Sequence, residues 1–216
     1  MDASRIMSPR GPFARSLGSA VASFLIVAPF FPNGWQAAAL SSALNAAANF
    51  TQPDFSAGDS GPDEDQGSAR RILWTVNGTQ AIALLEHAAH RHGEFPSAAF
   101  VGAFFFVACA GIALRAWAVR TLDRHFTWHV TIVEGHRLVT SGPYRWFRHP
   151  SYVGALTAYV AFPLAIGSYL AALLALPLLI DAFRRRVRIE EKRLSEHFGS
   201  EWTTFASRVA SWWPGS

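Results

Sequence analysis

Charge and cysteine are the two things this sequence has little of. Only 16% of its 216 residues are Asp, Glu, Lys or Arg, against about 25% in an ordinary soluble domain. The shortage is concentrated, because residues 16–53, 95–114 and 150–180 contain none of the four. A membrane-spanning helix needs roughly 20 such apolar residues, and a soluble domain rarely offers three such runs. A single cysteine, Cys109, excludes an intrachain disulfide and a cysteine-built metal site. Set inside an apolar run, it reads as a small buried hydrophobe. Histidine does not fill the gap. His87 and His90 lie one helical turn apart with His92 beyond them, but no further carboxylate or histidine pair completes a ligand set. No metal is expected, and the three read as a surface or interfacial helix end.

What charge there is has a bias. The formal net charge is +4 and the isoelectric point about 9.8. The basic residues flank apolar runs instead of alternating with aromatics in a stripe, so they read as topology signals and not as a nucleic-acid footprint. Arg5, Arg10 and Arg15 precede an apolar run in the manner of a signal peptide. Pro29, Phe31 and Pro32 crowd the place where a small-residue cleavage site would stand, so an uncleaved first span is expected. Residues 115–149 carry six arginines against Asp123 and Glu134. Arg184, Arg185, Arg186, Arg188, Lys192 and Arg193 form a second basic block. Between the blocks, the 31-residue uncharged run 150–180 is too long for one upright span. Pro163 and Gly167 interrupt it, which predicts two short helices forming a hairpin. A hairpin returns the chain to the side it left, so both blocks face the cytosol by the positive-inside rule. If the N-terminal arginines are cytosolic too, residues 35–50 and 71–86 either both cross or both stay out.

The organisation that follows has N-terminal apolar helices over 1–53 and an acidic flexible loop over 54–70, around Asp63, Glu64 and Asp65. An amphipathic or membrane helix covers 71–94, and a core covers 95–216. The fold class is all-α, a polytopic integral membrane helical bundle with a helical hairpin.

The chemistry-bearing stretch is 136–152, reading His-Arg-Leu-Val-Thr-Ser-Gly-Pro-Tyr-Arg-Trp-Phe-Arg-His-Pro-Ser-Tyr. Ser141-Gly142-Pro143 is a turn, and Pro150 stands where a helix can begin without forfeiting a needed donor. Composition alone supports an interfacial anchor, with Trp and Tyr at headgroup level and Arg meeting lipid phosphate. Beyond the hairpin, Arg186 and Glu190 share one helical face at i and i+4, with Glu191 adjacent. An exposed pair of that kind contributes only about 0.3 to 0.5 kcal/mol.

The order of these residues adds more. Leu138 to Tyr144, Arg148-His149-Pro150-Ser151-Tyr152-Val153-Gly154, Arg186, Glu190-Glu191, Leu194, His197-Phe198-Gly199 and Glu201-Trp202 together resemble the isoprenylcysteine carboxyl methyltransferase family over about residues 95–205. Residues 1–94 match poorly. The resemblance implies a cytosolic cofactor pocket for S-adenosylmethionine, built from His136, Arg137, Leu138, Val139, Tyr144, His149, Pro150, Ser151, Tyr152 and Glu190. It implies that Arg186 is the catalytic residue that binds the substrate carboxylate. The acceptor would be the C-terminal carboxylate of a prenylated cysteine in a protein, with membrane lipid as surroundings. A family glutamine shortly after the position of His129 is replaced here near Thr131 or Ile132. The implied location is the endoplasmic reticulum membrane in a eukaryote or the inner membrane in a bacterium. Two rivals stay open: methylation of a phospholipid or other small lipid, and a non-enzymatic membrane scaffold.

Overall fold

The computed structural model describes residues 35–50, 66–91, 94–126, 135 and 137–211. The expected first span, the acidic cluster and the segment containing His129, Thr131 and Ile132 lie outside the described residues. Six α-helices follow one another among the described residues: α1 (Trp35–Phe50), α2 (Ser68–Arg91), α3 (Ala98–Leu122), α4 (Pro150–Ala165), α5 (Tyr169–Phe198) and α6 (Ser200–Arg208). Short 3-10 turns cover Asp123–His125 and Gly142–Arg145. No strand occurs among the described residues, so the all-α class stands.

Helix α3 starts at Ser97, whose hydroxyl accepts from the Phe100 N–H. It is the one helix among the described residues that is long and apolar enough by itself to cross a membrane. Its outer face leaves Phe105 48% and Phe106 74% exposed, a surface that suits lipid and not water. Cys109 lies on this exposed side. That corrects the expectation of a buried thiol, because the small residues Ala108 and Gly111 are the ones that face the neighbouring helix.

What they face is α4, at close range. A Cβ on Gly111 would fall 2.6 Å from the Gly154 carbonyl oxygen and 2.9 Å from the Ala158 nitrogen. A Cβ on Gly154 would strike the Gly111 carbonyl and sit 2.8 Å from the Arg115 nitrogen. Paired glycines thus let the two backbones touch.

The hairpin is present, but its second arm is not short. Pro163 is accommodated inside α4, and the chain reverses at Gly167, whose φ of 76° suits a residue without Cβ. The Ser168 N–H donates back to the Pro163 carbonyl at 2.8 Å. Helix α5 then runs 30 residues without a break, through Pro177 and straight from the apolar run into the basic block. The segment carrying Arg186 and Glu190 is therefore the far end of the hairpin's own helix. From 178 to 198 nothing but helix-compatible residues follows, so the change from apolar to charged composition marks a change of surroundings and not of structure.

Helix α2 begins at Ser68, inside the stretch expected as loop, and lies along α5. Val76 shares a core with Leu179, Phe183 and Val187. Arg71 pairs with Asp181, and Ser41 of α1 donates to Gln80 of α2 at 3.1 Å. At the hairpin turn the Ser168 hydroxyl donates to the Ala83 carbonyl at 2.7 Å. His87 is buried there against the Ile166 carbonyl, 2.7 Å from its Nδ1, and does not form the surface helix end expected for it.

The α3–α4 contact makes a direct prediction. Gly111→Ala and Gly154→Ala should each lower the midpoint of thermal unfolding in detergent, by a destabilisation of about 1 to 3 kcal/mol. Gly102→Ala, where an added Cβ meets nothing within 4 Å, should leave the midpoint unchanged or raise it.

Candidate functional site

The loop leading into α4 is held on three sides. Gly142 has φ +57°, and a Cβ there would lie 2.9 Å from the Thr121 Oγ1, so the turn requires glycine on both counts. It drives Tyr144 into the protein, where the phenol is buried and donates to the Ala118 carbonyl at 3.4 Å. Burial, and then the nearby charge of Glu190, push the Tyr144 pKa well above its ordinary value, so the hydroxyl stays protonated. Trp146 meets Trp117 edge-on at 5.7 Å, with the Arg145 guanidinium 5.3 Å over its ring. On the third side, the Arg148 N–H donates to the Ala210 carbonyl at 2.9 Å and its guanidinium to the Ala206 carbonyl at 3.0 Å. The end of the chain described here is thereby strapped to the loop.

The loop then meets α5. His149 precedes Pro150, the first residue of α4, and its Nε2 donates to Glu191 Oε1 at 2.9 Å. Its Nδ1 lies 3.6 Å from Glu190 Oε2. The imidazole stacks on Tyr152 at 5.6 Å, and Tyr152 stacks in turn on Phe183 at 5.4 Å. The Tyr152 hydroxyl donates to Glu190 Oε2 at 2.8 Å and accepts from Arg186 Nε at 3.3 Å. One phenol therefore joins the cation and the anion that i, i+4 spacing placed on the same face. The Arg148 guanidinium completes the cluster 3.1 Å from Glu191.

Electrostatics follow from this crowding. Burial pushes the Glu191 carboxyl up, but the hydrogen bond from His149 and the charges of His149 and Arg148 outweigh it and hold the carboxyl below its ordinary value. Glu191 is therefore ionised and acts as the anchor of the loop. Glu190, about a third exposed, keeps part of its side chain open to the surroundings while Oε2 faces Tyr152 and His149.

Of the residues singled out from the sequence, Tyr144, His149, Ser151, Tyr152, Arg186 and Glu190 converge here, and Pro150 positions His149 as the first residue of α4. Arg137, Leu138 and Val139 lie in the extended stretch ahead of Ser141, Arg137 exposed and the other two half-buried, and are not part of the cluster itself. His136 lies outside the described residues. Arg186 is only 5% exposed, which rules out the exposed, weakly contributing ion pair. The sequence reading missed three participants. Glu191 and Arg148 stood in the motifs without a role. Arg115, read as a topology charge at the end of an apolar run, is buried and donates to the Ser151 carbonyl at 3.4 Å. The signal for Arg115 was its place one turn after Gly111, on the face that contacts α4.

Comparison with known proteins agrees with the geometry. Residues 103–196 match the model of the isoprenylcysteine carboxyl methyltransferase family. Protein-S-isoprenylcysteine O-methyltransferase B of Arabidopsis thaliana is 35% identical over 103 residues, 47% of this chain and 52% of that protein. A probable protein-S-isoprenylcysteine O-methyltransferase of Oryza sativa subsp. indica is 31% identical over 142 residues, 62% of this chain and 73% of the relative. The chain belongs to the isoprenylcysteine carboxyl methyltransferase family. Its fold is similar to that of a solved eukaryotic intramembrane Ras methyltransferase, with a TM-score of 0.54 and 19% identity over 98% of this chain and 88% of the other. Within this methyltransferase family member, the matched stretch starts inside α3 and ends near the close of α5. The exposed apolar face of α3 and the family match agree on a membrane protein. The chain spans about half the length of the Arabidopsis relative.

The depressed Glu191 carboxyl predicts an acid-sensitive anchor. A group whose folded pKa is lowered contributes stability above its unfolded pKa, about 4.3 for glutamate, and loses it as pH falls through the folded value. Wild-type protein should unfold at a higher temperature than Glu191→Gln at neutral pH. The gap should close only below the ordinary glutamate range, as followed by thermal unfolding across a pH series.

Proposed function

We propose that the protein is a multi-pass membrane enzyme that methylates the C-terminal carboxylate of a prenylated cysteine, with S-adenosylmethionine as the donor. The observation that carries this reading is the Tyr152 hydroxyl, shared between Glu190 and the buried Arg186. It joins a group suited to grip an acceptor carboxylate with a group suited to bind the donor's amino acid end, at one point beside the apolar part of the hairpin. The endoplasmic reticulum in a eukaryote, or the inner membrane in a bacterium, is the corresponding location.

A carboxylate is ionised at neutral pH, so its methylation needs no strong base. The work lies in orientation and desolvation. Arg186 keeps its charge in a buried setting where a lysine would tend to neutralise, and its planar fork can hold a carboxylate in one orientation. The residues present also suit the donor: Glu190 offers a half-buried carboxylate to an ammonium, and the rings of Tyr144 and Tyr152 attract cations. Bound S-adenosylmethionine supplies a methyl group on a sulfonium. Tyr144, His149 and Arg186, all buried, keep bulk water from the place where opposite charges would be lost together, which favours that loss. The apolar surface of α3 and of the first half of α5 offers the acceptor's prenyl chain an approach through the bilayer.

Transfer of labelled methyl from S-adenosylmethionine to farnesylcysteine, with amine phospholipids as the competing acceptor, tests the proposal. Label on the cysteine derivative supports it, and label confined to lipid amines would falsify it. Arg186→Ala should lose turnover by roughly a hundredfold with donor binding largely kept, whereas Glu190→Ala should weaken donor binding. A wild-type protein that binds no donor and transfers no methyl group would leave the scaffold reading in its place, and unchanged turnover in both variants would contradict the roles given to Arg186 and Glu190.

A further inference from the structure

Two of the hydrogen bonds that hold Arg186 come from different parts of the chain, and one of those parts lies outside the stretch that the family model matches. Its Nε donates to Tyr152, but its Nη1 donates to the hydroxyl of Ser68 at 3.0 Å, across 118 positions of sequence. Ser68 is 1% exposed and is the first residue of α2. The match to the family begins only at residue 103, so this contact comes from a segment that carries none of the shared motifs. The backbone ahead of Ser68 is unusual. The two residues before Ser68 both take left-handed backbone, Gly67 at φ +70° and Gln66 at φ +49°. For glutamine that conformation is unfavourable and persists only where surrounding structure dictates it. Ser68 follows this turn directly and is buried. One turn further on, Arg71 pairs with Asp181, which lies a little over one turn before Arg186 on α5.

We infer that Ser68 is a positioning residue for Arg186, and that α2 thereby sets the orientation in which the guanidinium meets an acceptor carboxylate. The physical reason is the shape of the group. A guanidinium is a flat fork on a flexible stem, and a contact at Nε does not by itself define the plane of the fork. A contact at Nη1, on another arm of the fork, constrains that plane. A fixed plane matters for a planar carboxylate that has to present one oxygen to a methyl group, since small misplacements at a reacting centre cost large factors in rate. A neutral hydroxyl can do this without cancelling the charge, whereas a carboxylate at the same place would compete with the acceptor. The inference rests on the reading of Arg186 given above, and the two can fail separately.

The test uses the full-length protein and farnesylcysteine as the acceptor. Ser68→Ala should lower kcat/KM for the acceptor by roughly tenfold while leaving the dissociation constant for S-adenosylmethionine unchanged, and Ser68→Thr, which keeps a hydroxyl, should recover much of the loss. In an Arg186→Lys background, where the fork is absent, Ser68→Ala should cost little more, because residues acting through one another are not additive. Asp181→Asn removes the neighbouring α2–α5 ion pair but keeps the hydroxyl, and should leave the acceptor constants as they are. The inference is overturned if Ser68→Ala behaves as wild type while Arg186→Ala is inactive. It is equally overturned if Asp181→Asn reproduces the Ser68→Ala loss, since helix docking and not orientation would then be the cause. Full turnover by Arg186→Ala would remove the underlying reading instead, and this inference with it.

Discussion

Two glutamates side by side at the edge of an apolar helix need donors, and in this protein most of those donors come from one loop. Glu191 takes its hydrogen bond from His149 and faces Arg148, while Glu190 takes its hydrogen bond from Tyr152. Leaving such carboxylates without donors at a membrane boundary would cost several kcal/mol each. The loop therefore cannot leave α5 without stranding them. That demand organises the rest. Arg148 is itself strapped to the chain after α6, Tyr144 is inserted under the loop, and Pro150 starts α4 directly after His149. Since α4 and α5 are the two arms of one hairpin, closing them at this end fixes the height at which Tyr152 meets Arg186.

The second constraint is steric. With Gly111 and Gly154 in backbone contact, α3 lies close enough for Arg115 to reach the Ser151 carbonyl in the first turn of α4. A bulkier pair would push α3 away and take Arg115 with it. Small residues inside the apolar part of the bundle and charged residues at its edge thus act on the same few ångströms. The glycines set the distance, and the arginine uses it.

How much of this could be read beforehand depended on whether the signal was local. The hairpin was legible because Gly167 must reverse the chain and because the uncharged run exceeded one span. The convergence of Tyr144, His149, Tyr152, Arg186 and Glu190 was legible because their order in the chain resembles a family's. The continuity of α5 was not, since a sharp change in composition looks like a boundary although helix propensity runs straight through it. His87 and Ser68 were not legible either. A histidine among histidines near a helix end, and a serine next to an acidic stretch, both read as solvent-facing until a partner is seen. Their partners, the Ile166 carbonyl and Arg186, lie 79 and 118 positions away, and no periodicity within one helix reports on contacts at that distance.

Both of those partners belong to the hairpin, and this gives α2 a mechanical role that its sequence conceals. At one end of α2, Glu86 accepts from the Leu170 and Ala171 N–H groups at 3.0 and 2.7 Å, capping the start of α5. A carboxylate is well placed there, because the first-turn donors of a helix have no partners of their own and carry partial positive charge. His87 and the Ala83 carbonyl satisfy the turn between the arms, which matters more near lipid than in water, since no solvent is at hand to replace them. At the other end, Ser68 reaches Arg186. Helix α2 therefore spans most of the length of α5 and touches it at the cap, along the core and at the guanidinium. Contacts at both ends fix the register of α2 against its partner. The hairpin turn, the core along α5 and the guanidinium are thus all contacted by one helix that precedes the family's shared motifs.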